Sequence, residues 1–301
     1  MRWRLRDRLR TRIQPDPPRG WLPRRTPSIV VPRAPSGYRS ATWVGHATVL
    51  LQLGALNVLT DPVWGDRASP LRWIGPRRLT PPGLAFDALP PIDIVLLSHN
   101  HYDHLDAPSV RRIAKRFPDA SWLCPLRLGE LLRSFGVRHV AERDWWQTVG
   151  APGFMATCTP ARHFSARGLR DSGDTLWCGW TIAADGVRVY FAGDTALHPE
   201  FAAIAANTGP FDLLMLPIGA YEPRWFMESL HMNPEDAIEA YRALTAVSAA
   251  RPPCLALHWG TFRLTDEPVE EPPARFAQRW QAAGFPDQAN WTLAVGETRR
   301  L

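Results

Sequence analysis

Three histidines and one aspartate within six residues constrain this chain more than any other feature of its sequence. His99, His101, Asp103 and His104 come directly after the apolar segment 92–97, which is typical of a buried strand. Because alternate residues of an extended segment point the same way, His99 and His101 can converge on one ion. Asp103 and His104 fall on the following turn, where they can serve a second ion. The cluster predicts a metal site, and the alternative is a polar loop that holds several histidines by chance.

Three later residues end predicted strands in a similar way. His163, Asp194 and His258 follow apolar segments that begin near residues 154, 187 and 254. A lone histidine or aspartate at a strand end is more often structural than functional. Together with the cluster, however, these residues supply seven ligands, enough for two ions that share one carboxylate. Imidazole and carboxylate suit zinc, with iron or manganese as alternatives, whereas calcium takes oxygen ligands alone.

Composition bounds the class of protein. A chain of 301 residues with 45% hydrophobic content can bury a large core, as one large domain or two small ones. The four cysteines lie far apart without a CxxC pair, which argues against a structural zinc knuckle and is compatible with reduced thiols. We find neither an apolar stretch as long as a membrane span nor the apolar core of a secretory signal. We therefore expect a cytoplasmic protein.

The positive charge is concentrated at the N-terminus. Residues 1–37 hold ten arginines against two aspartates, so the rest of the chain is slightly acidic although the whole carries +6. Arginines interleave with apolar residues up to Ile13, which favours a short basic helix at an anionic membrane surface, peripheral to the inner face of the membrane. A disordered, solvated arm rich in proline is an equal alternative. The acidic body argues against nucleic-acid binding.

Strand and helix patterns alternate along the remainder, residues 38–301, which we expect to form one catalytic domain. Hairpins are predicted near 41–60 and, about the Asp185-Gly186 turn, at 177–192. Helices are predicted at 108–117, 234–248 and 273–283, and the proline-rich segment 62–91 is long enough for a functional cover. Each half begins with hairpins and then alternates strands with helices. This order favours an α/β fold of two packed sheets with helices outside.

The ordered motif of His99, His101, Asp103, His104, His163, Asp194 and His258 resembles that of the metallo-β-lactamase fold superfamily. The resemblance covers about residues 40–300 and implies an αββα sandwich, with two mixed sheets flanked by helices, that binds two metal ions at one edge. It implies that His99, His101 and His163 hold the first ion. Asp103, His104 and His258 would hold the second, and Asp194 would bridge the two.

A narrower resemblance surrounds this motif. The segments 43–48, 59–62, 69–70, 75–78, 98–106, 218–227 and 231–235 are similar to the branch that includes N-acyl-phosphatidylethanolamine-hydrolysing phospholipase D. The match is close in the catalytic body and poor in the N-terminal arm. It implies a zinc-dependent phosphodiesterase of phospholipase D type that acts on N-acyl-phosphatidylethanolamine or a related lipid. It also implies that Tyr102 and His231 contact substrate and that the segment 225–227 lies at the mouth of the site.

The ligand set predicts hydrolysis, because two ions about 3.5–4 Å apart can hold a bridging hydroxide and neutralise phosphoryl oxygens. Asp103 and Asp194 are the predicted catalytic carboxylates, with Asp103 orienting the nucleophile or accepting its proton. A lactonase, a nucleic-acid phosphodiesterase and a binding protein without catalysis remain alternatives. The oligomeric state stays open, and a dimer is one option.

Ligating histidines usually need a partner on their second ring nitrogen. Asp61, Asp93 and Asp106 are the candidates for this role. His46 also lies in a matching motif, with a buried core histidine as the equal alternative. His139 and His198 have no convergent neighbours in the sequence pattern, and we expect both to be structural.

Overall fold

Fourteen β-strands form the framework of the computed structural model, which describes residues 16–18 and 20–301. The strands are β1 (Arg39–Gly45), β2 (Thr48–Leu53), β3 (Leu56–Thr60), β4 (Ile94–Leu96), β5 (Ser121–Pro125), β6 (His139–Arg143), β7 (Thr148–Ala151), β8 (Phe154–Thr159), β9 (Gly179–Ala184), β10 (Val187–Phe191), β11 (Leu213–Pro217), β12 (Cys254–Leu257), β13 (Asn290–Trp291) and β14 (Thr298–Arg300). They make two seven-stranded sheets, ordered β14-β1-β2-β3-β4-β5-β6 and β13-β12-β11-β10-β9-β8-β7.

The two sheets repeat one plan of pairing. In the first sheet, β14, β1, β2 and β3 pair antiparallel and β3 to β6 pair in parallel. In the second, β7 to β10 pair antiparallel and β10 to β13 in parallel. Because parallel neighbours need crossover connections, the helices fall in the second part of each sheet's segment. The carboxyl ends of the parallel strands are thereby brought to one edge.

Six α-helices are present in the described residues: α1 (Ala107–Arg116), α2 (Gly129–Ser134), α3 (Glu200–Thr208), α4 (Arg224–Met227), α5 (Pro234–Thr245) and α6 (Glu271–Ala282). Apolar residues of α1 and α2 pack with the outer face of the first sheet in one core cluster. Apolar residues of α3, α5 and α6 belong to the larger cluster that contains the second sheet and the inner face of the first. The layers are therefore helix, sheet, sheet and helix.

The strand before the histidine cluster shows why that segment is continuously apolar. Ile94 and Leu96 lie in the larger core cluster, whereas Val95 and Leu97 lie in the cluster beneath α1. Side chains alternate across a strand, so a strand buried on both faces needs apolar residues at every position. Asp106 then caps α1 by accepting a hydrogen bond from the Ser109 backbone N–H. The cluster is thus confined to a short turn between a buried strand and a capped helix.

The predicted α/β class and two-sheet sandwich are confirmed. The predicted helices at 108–117, 234–248 and 273–283 correspond to α1, α5 and α6, with ends shifted by at most three residues. Three short elements were not predicted: strands β7 and β14, and helix α4, which contains the segment predicted to lie at the mouth of the site. Thr148–Ala151 and Thr298–Arg300 lie at sheet edges, where an apolar alternation is not required.

Part of the predicted N-terminal arm lies against the body. Leu22 is buried, the Arg25 N–H donates to the Val295 carbonyl, and the Val30 N–H donates to Gln52 Oε1. The predicted basic helix falls in residues 1–15, which are outside the described residues, and the domain boundary after residue 37 stays a prediction. Among the described residues, no helix is both long and apolar enough to cross a bilayer.

Candidate metal centre

The seven predicted ligands converge at the edge where the strands of both sheets end. His99 follows β4, His163 follows β8, Asp194 follows β10, and His258 comes directly after β12. The facing ring nitrogens of His99, His101 and His163 form one group within 4.8 Å. The facing atoms of Asp103, His104, His258 and His46 form a second group, whose atoms also lie within 4.8 Å of one another. The two groups correspond to the two predicted sets, and the assignment of their members as ligands stays a prediction.

Asp194 lies between the two groups. Its Oδ2 atom is 3.1 Å from His104 Nε2 and 3.0 Å from His258 Nε2 on one side. On the other side, the same atom is 3.9 Å from His99 Nε2 and 3.8 Å from His163 Nε2. This position is the one expected of a carboxylate that bridges two ions.

A glycine brings Asp194 to this place. Gly193 adopts φ +61°, and a Cβ atom there would lie 2.5 Å from Ser98 Cβ. Since a side chain at position 193 would collide with the histidine turn, only glycine allows the end of β10 to approach it so closely. The glycine before Asp194 is therefore a packing requirement of the site.

Several buried polar atoms at the centre have no hydrogen-bond partner within the described residues. They include Asp194 Oδ1 and His231 Nδ1, and also His104 Nε2 and His258 Nε2, which approach Asp194 Oδ2 at 3.0–3.1 Å as ion pairs without hydrogen-bond geometry. Buried polar groups are nearly always paired, so unpartnered atoms that face one another need another occupant. Imidazole nitrogens and carboxylate oxygens in this number are the donor set of zinc, iron or manganese sites. The residues present therefore fit a metal centre.

The triple-histidine group is held in its neutral form. Burial lowers the pKa of His101 to about 3 and the pKa of His99 well below the usual value, and the neighbouring imidazoles lower both further. Burial also lowers the pKa of His163, against an opposing effect of Asp194. His163 is oriented by its Nδ1 atom, which donates to the Leu230 carbonyl at 2.9 Å. Neutral imidazoles can bind a metal without losing a proton.

The histidine pKa values of the second group are shifted in the opposite direction. Burial alone lowers the pKa of His258, but the carboxylates of Asp194 and Asp103 outweigh it and raise that pKa to about 9. The same two carboxylates hold the pKa of His104 well above its usual value. In turn, His104 holds the pKa values of Asp103 and Asp194 well below normal despite their burial. Without metal, this group is a compact cluster of two carboxylates and two imidazolium ions.

Of the three aspartates predicted to support the ligands, Asp61 alone does so. His104 Nδ1 lies 2.7 Å from Asp61 Oδ2, and the Ser98 N–H donates to Asp61 Oδ1 at 2.8 Å. The predictions for Asp106 and Asp93 are wrong. Asp106 is the cap of α1, and Asp93 accepts from the Asn57 backbone and forms an ion pair with Arg33.

The two predicted substrate residues occupy different environments. The Tyr102 hydroxyl donates to the Arg167 carbonyl at 2.9 Å, and the Arg167 guanidinium stacks 3.9 Å from its ring. His231 is buried inside the centre, with its Nδ1 atom 3.9 Å from Asp194 Oδ2 and without a hydrogen-bond partner in the described residues. Burial lowers its pKa well below the usual value. Substrate contact by either residue stays a prediction.

Apolar side chains protrude from three segments connected to the centre. Trp225 of α4 is 71% exposed, and α4 ends four residues before His231. Leu169 is 86% exposed in the loop that follows His163. Trp73 is 74% exposed in the segment 62–91, whose Arg78 pairs with Phe262 in a β-bridge. In the same segment, Trp64 is half-buried and packs against Phe86 and the smaller core cluster.

His198 and His139 lie outside the two groups. His198 stacks on Phe201 with 4.1 Å between ring centroids, and burial lowers its pKa to about 4. His139 lies in the edge strand β6, where it is exposed. Both positions suit the expected structural roles.

Comparison with known proteins places the chain in a family. Residues 56–259 match the profile described as "Beta-lactamase superfamily domain". An uncharacterized protein of Mycobacterium tuberculosis is 41% identical over 91% of this chain and 70% of its own length. N-acyl-phosphatidylethanolamine-hydrolyzing phospholipase D 1 of Caenorhabditis elegans is 39% identical over 85% of this chain and 74% of its own length.

The fold has counterparts among solved structures. A metallo hydrolase from the archaeon Ignicoccus hospitalis superposes with a TM-score of 0.64, at 23% identity, over 87% of this chain and 98% of that one. Such a likeness establishes the fold, and the sequence matches establish the family. The chain therefore belongs to the beta-lactamase superfamily and is a metal-dependent hydrolase of the metallo-β-lactamase fold.

Proposed function

We propose that this protein is a zinc-dependent phosphodiesterase of phospholipase D type, acting on N-acyl-phosphatidylethanolamine or a related lipid phosphodiester. The observation that carries the proposal is a two-part histidine and aspartate centre joined to segments with exposed Trp225, Leu169 and Trp73. The 39% identity to a C. elegans protein of that name adds support. Iron or manganese in place of zinc, and a lactone in place of the phosphodiester, are the alternatives.

Each ligand has one role in this proposal. The members of the first set are His99, His101 and His163, those of the second are Asp103, His104 and His258, and Asp194 belongs to both. Two ions bound there would polarise the phosphoryl group and lower the pKa of water towards neutrality.

The remaining steps belong to side chains of this chain. Asp103 is ionised at neutral pH because His104 holds its pKa low, so its carboxylate can accept a hydrogen bond from a water molecule and orient it. His231 is neutral at that pH, and its unpartnered Nδ1 atom faces the centre as a hydrogen-bond group for a phosphoryl oxygen. Tyr102 would contact the substrate through its ring, since its hydroxyl is already bonded to the Arg167 carbonyl.

A lipid substrate would explain why these apolar residues are exposed. Trp225, Leu169 and Trp73 would rest at the lipid surface while one phosphodiester enters the centre. The arginine-rich residues 1–15 would add attraction to anionic headgroups. We infer a location in the cytoplasm at the inner face of the membrane, and all four cysteines are free thiols, in agreement with a reducing compartment.

A comparison of substrates tests the proposal. The purified, zinc-loaded protein is assayed with N-acyl-phosphatidylethanolamine vesicles, bis-p-nitrophenyl phosphate and a panel of lactones. We expect release of phosphatidic acid from the first, slower cleavage of the second, and loss of both with a chelator or with Asp194→Ala. Faster opening of lactones than of either phosphodiester would refute the proposed substrate class.

A further inference from the structure

His46 is fixed at the centre more firmly than a core histidine needs to be. It follows β1 with φ +55°, its N–H donates to Thr261 Oγ1 at 2.7 Å, and its carbonyl accepts from Trp43 Nε1 at 2.9 Å. The ring is 1% exposed, and its centroid lies 4.1 Å from that of His258. A left-handed backbone at a residue other than glycine persists only where the surroundings impose it.

The ring is oriented by one polar contact. His46 Nε2 lies 2.9 Å from Asp103 Oδ2, whereas His46 Nδ1 is buried without a hydrogen-bond partner in the described residues. A carboxylate oxygen accepts, so the 2.9 Å contact places a hydrogen on Nε2, and only a ring with Nε2–H gives Asp103 a donor. The other tautomer would place a lone pair against the carboxylate and bury an unpaired donor.

The contacts of His46 separate it from the second ligand set. His104 Nε2 and His258 Nε2 each approach both carboxylates, at 3.4 Å to Asp103 Oδ2 and at 3.0–3.1 Å to Asp194 Oδ2. Among the described carboxylates, His46 approaches Asp103 alone. An ion shared by Asp103 and Asp194 would lie among His104, His258 and the two carboxylates. His46 makes no such approach to Asp194 and contacts the group through Asp103 Oδ2, although one of its ring nitrogens lies within 4.8 Å of the facing atoms of the other members.

We propose that His46 is a positioning residue, which donates its Nε2–H to Asp103 and thereby holds this carboxylate towards the second ion and the attacking water. The inference rests on the ligand roles proposed above and not on the identity of the substrate. The donor restricts rotation of the carboxylate, in the way that an outer hydrogen bond orients a metal ligand. His46 is a donor to a ligand and not a ligand itself.

A matched pair of variants separates the effect of the N–H donor from the effect of the ring's volume. His46→Gln keeps an amide N–H close to the position of Nε2. His46→Asn carries the same amide, suits the left-handed backbone, and is too short to reach Asp103. Phe262→Leu is the packing control, because it removes the edge contact with the His46 ring at 5.3 Å and leaves the hydrogen bond.

The first readout is the binding of metal alone. Metal-free protein is titrated with Co²⁺ and followed by visible absorption, and zinc content is measured after dialysis. We expect His46→Asn to lower the affinity for the second ion by about 10- to 100-fold and to leave the affinity for the first ion unchanged. His46→Gln should recover most of this affinity, and Phe262→Leu should equal the unmodified protein. Equal loss in both His46 variants, or no loss in His46→Asn, would overturn the proposal.

The second readout uses the unmodified protein and therefore does not depend on how the variants fold. Histidine side chains are labelled with ¹⁵N, and the zinc-loaded protein is recorded by long-range ¹H–¹⁵N correlation. We expect His46 to show a protonated Nε2 and a free Nδ1. A metal-bound Nε2 would show that His46 is a ligand and would overturn the proposal. Neither readout uses a substrate, so failure to cleave lipid would leave this test intact.

Discussion

The two ligand sets should load with metal under different pH dependences. His99, His101 and His163 have lowered pKa values, so all three are neutral at pH 7. His104 and His258 have raised pKa values and hold protons at that pH. A metal ion must displace protons from its ligands, so affinity falls with pH only where such protons exist. The second ion should therefore be the one that is lost on acidification.

The structure sets the size of this effect. With a pKa of about 9, His258 is about 99% protonated at pH 7 and half protonated at pH 9. His104 adds a second proton, so filling the second set at pH 7 should release about two protons, and filling the first should release about none. Between pH 9 and pH 7 the protonation of His258 alone should lower the apparent affinity for the second ion about 10-fold per pH unit, while that for the first stays nearly constant.

Calorimetry in buffers of different ionisation enthalpy measures the released protons directly. Zinc is titrated into metal-free protein at pH 7, and bound metal is then counted between pH 6 and pH 9. His258→Ala should lower the total release from about two protons to about one or fewer, and His101→Ala should leave the proton-coupled event in place. Equal proton release from both binding events, or loss of the first ion before the second, would refute the assignment of charge to the two sets.

Three further predictions concern the surroundings of the centre. Asp61→Asn replaces one of the two carboxylate oxygens, which accept from His104 Nδ1 and from the Ser98 N–H, with an NH₂ donor. It should lower metal content and activity together by about 10- to 100-fold, measured by metal analysis and bis-p-nitrophenyl phosphate cleavage; full metal occupancy would contradict it. Trp225→Ser should slow hydrolysis of vesicle lipid several-fold with unchanged cleavage of the soluble ester, whereas Val247→Ser, exposed beyond the far end of α5, should alter neither rate. Deletion of residues 1–15 should weaken co-sedimentation with anionic vesicles but not with neutral ones, and unchanged binding would exclude the arm as a membrane contact.

The sequence predicted the residues of the centre that lie directly after strands. His99, His101, Asp103 and His104 are contiguous, and the turn between β4 and α1 leaves them few positions. His163, Asp194 and His258 each follow an apolar strand. Strands that share an edge bring their ends together whatever their separation along the chain. The convergence of these residues was therefore predictable from patterns of a few residues each.

Contacts between segments that are distant in the sequence could not be predicted from such short patterns. His46 and Asp103 are 57 residues apart, and their hydrogen bond depends on how the turn after β1 lies against the histidine turn. The choice among three aspartates depended in the same way on packing, since only Asp61 lies beside His104. Arg167, which bonds the carbonyls of Asn100 and Leu105, carried no signal in the sequence at all. Periodicity predicts which face is buried and not which polar atoms meet.

Backbone strain is concentrated at this centre. His46, Asp61 and His258 have φ values of +55°, +29° and +64°, and they are three of the seven non-glycine residues with positive φ in the described part of the chain. Each such residue costs about 1–3 kcal/mol and persists only where its surroundings over-determine it. The strained residues surround Asp103 and His104, so the rigid sheets on either side hold imidazoles and carboxylates at separations that they would not keep in a flexible loop. In the metal-free protein, protons on His104 and His258 balance the buried carboxylates, and bound ions would replace those protons with the same sign of charge. The two sheets should therefore keep these side chains in place when metal ions replace the protons at the centre.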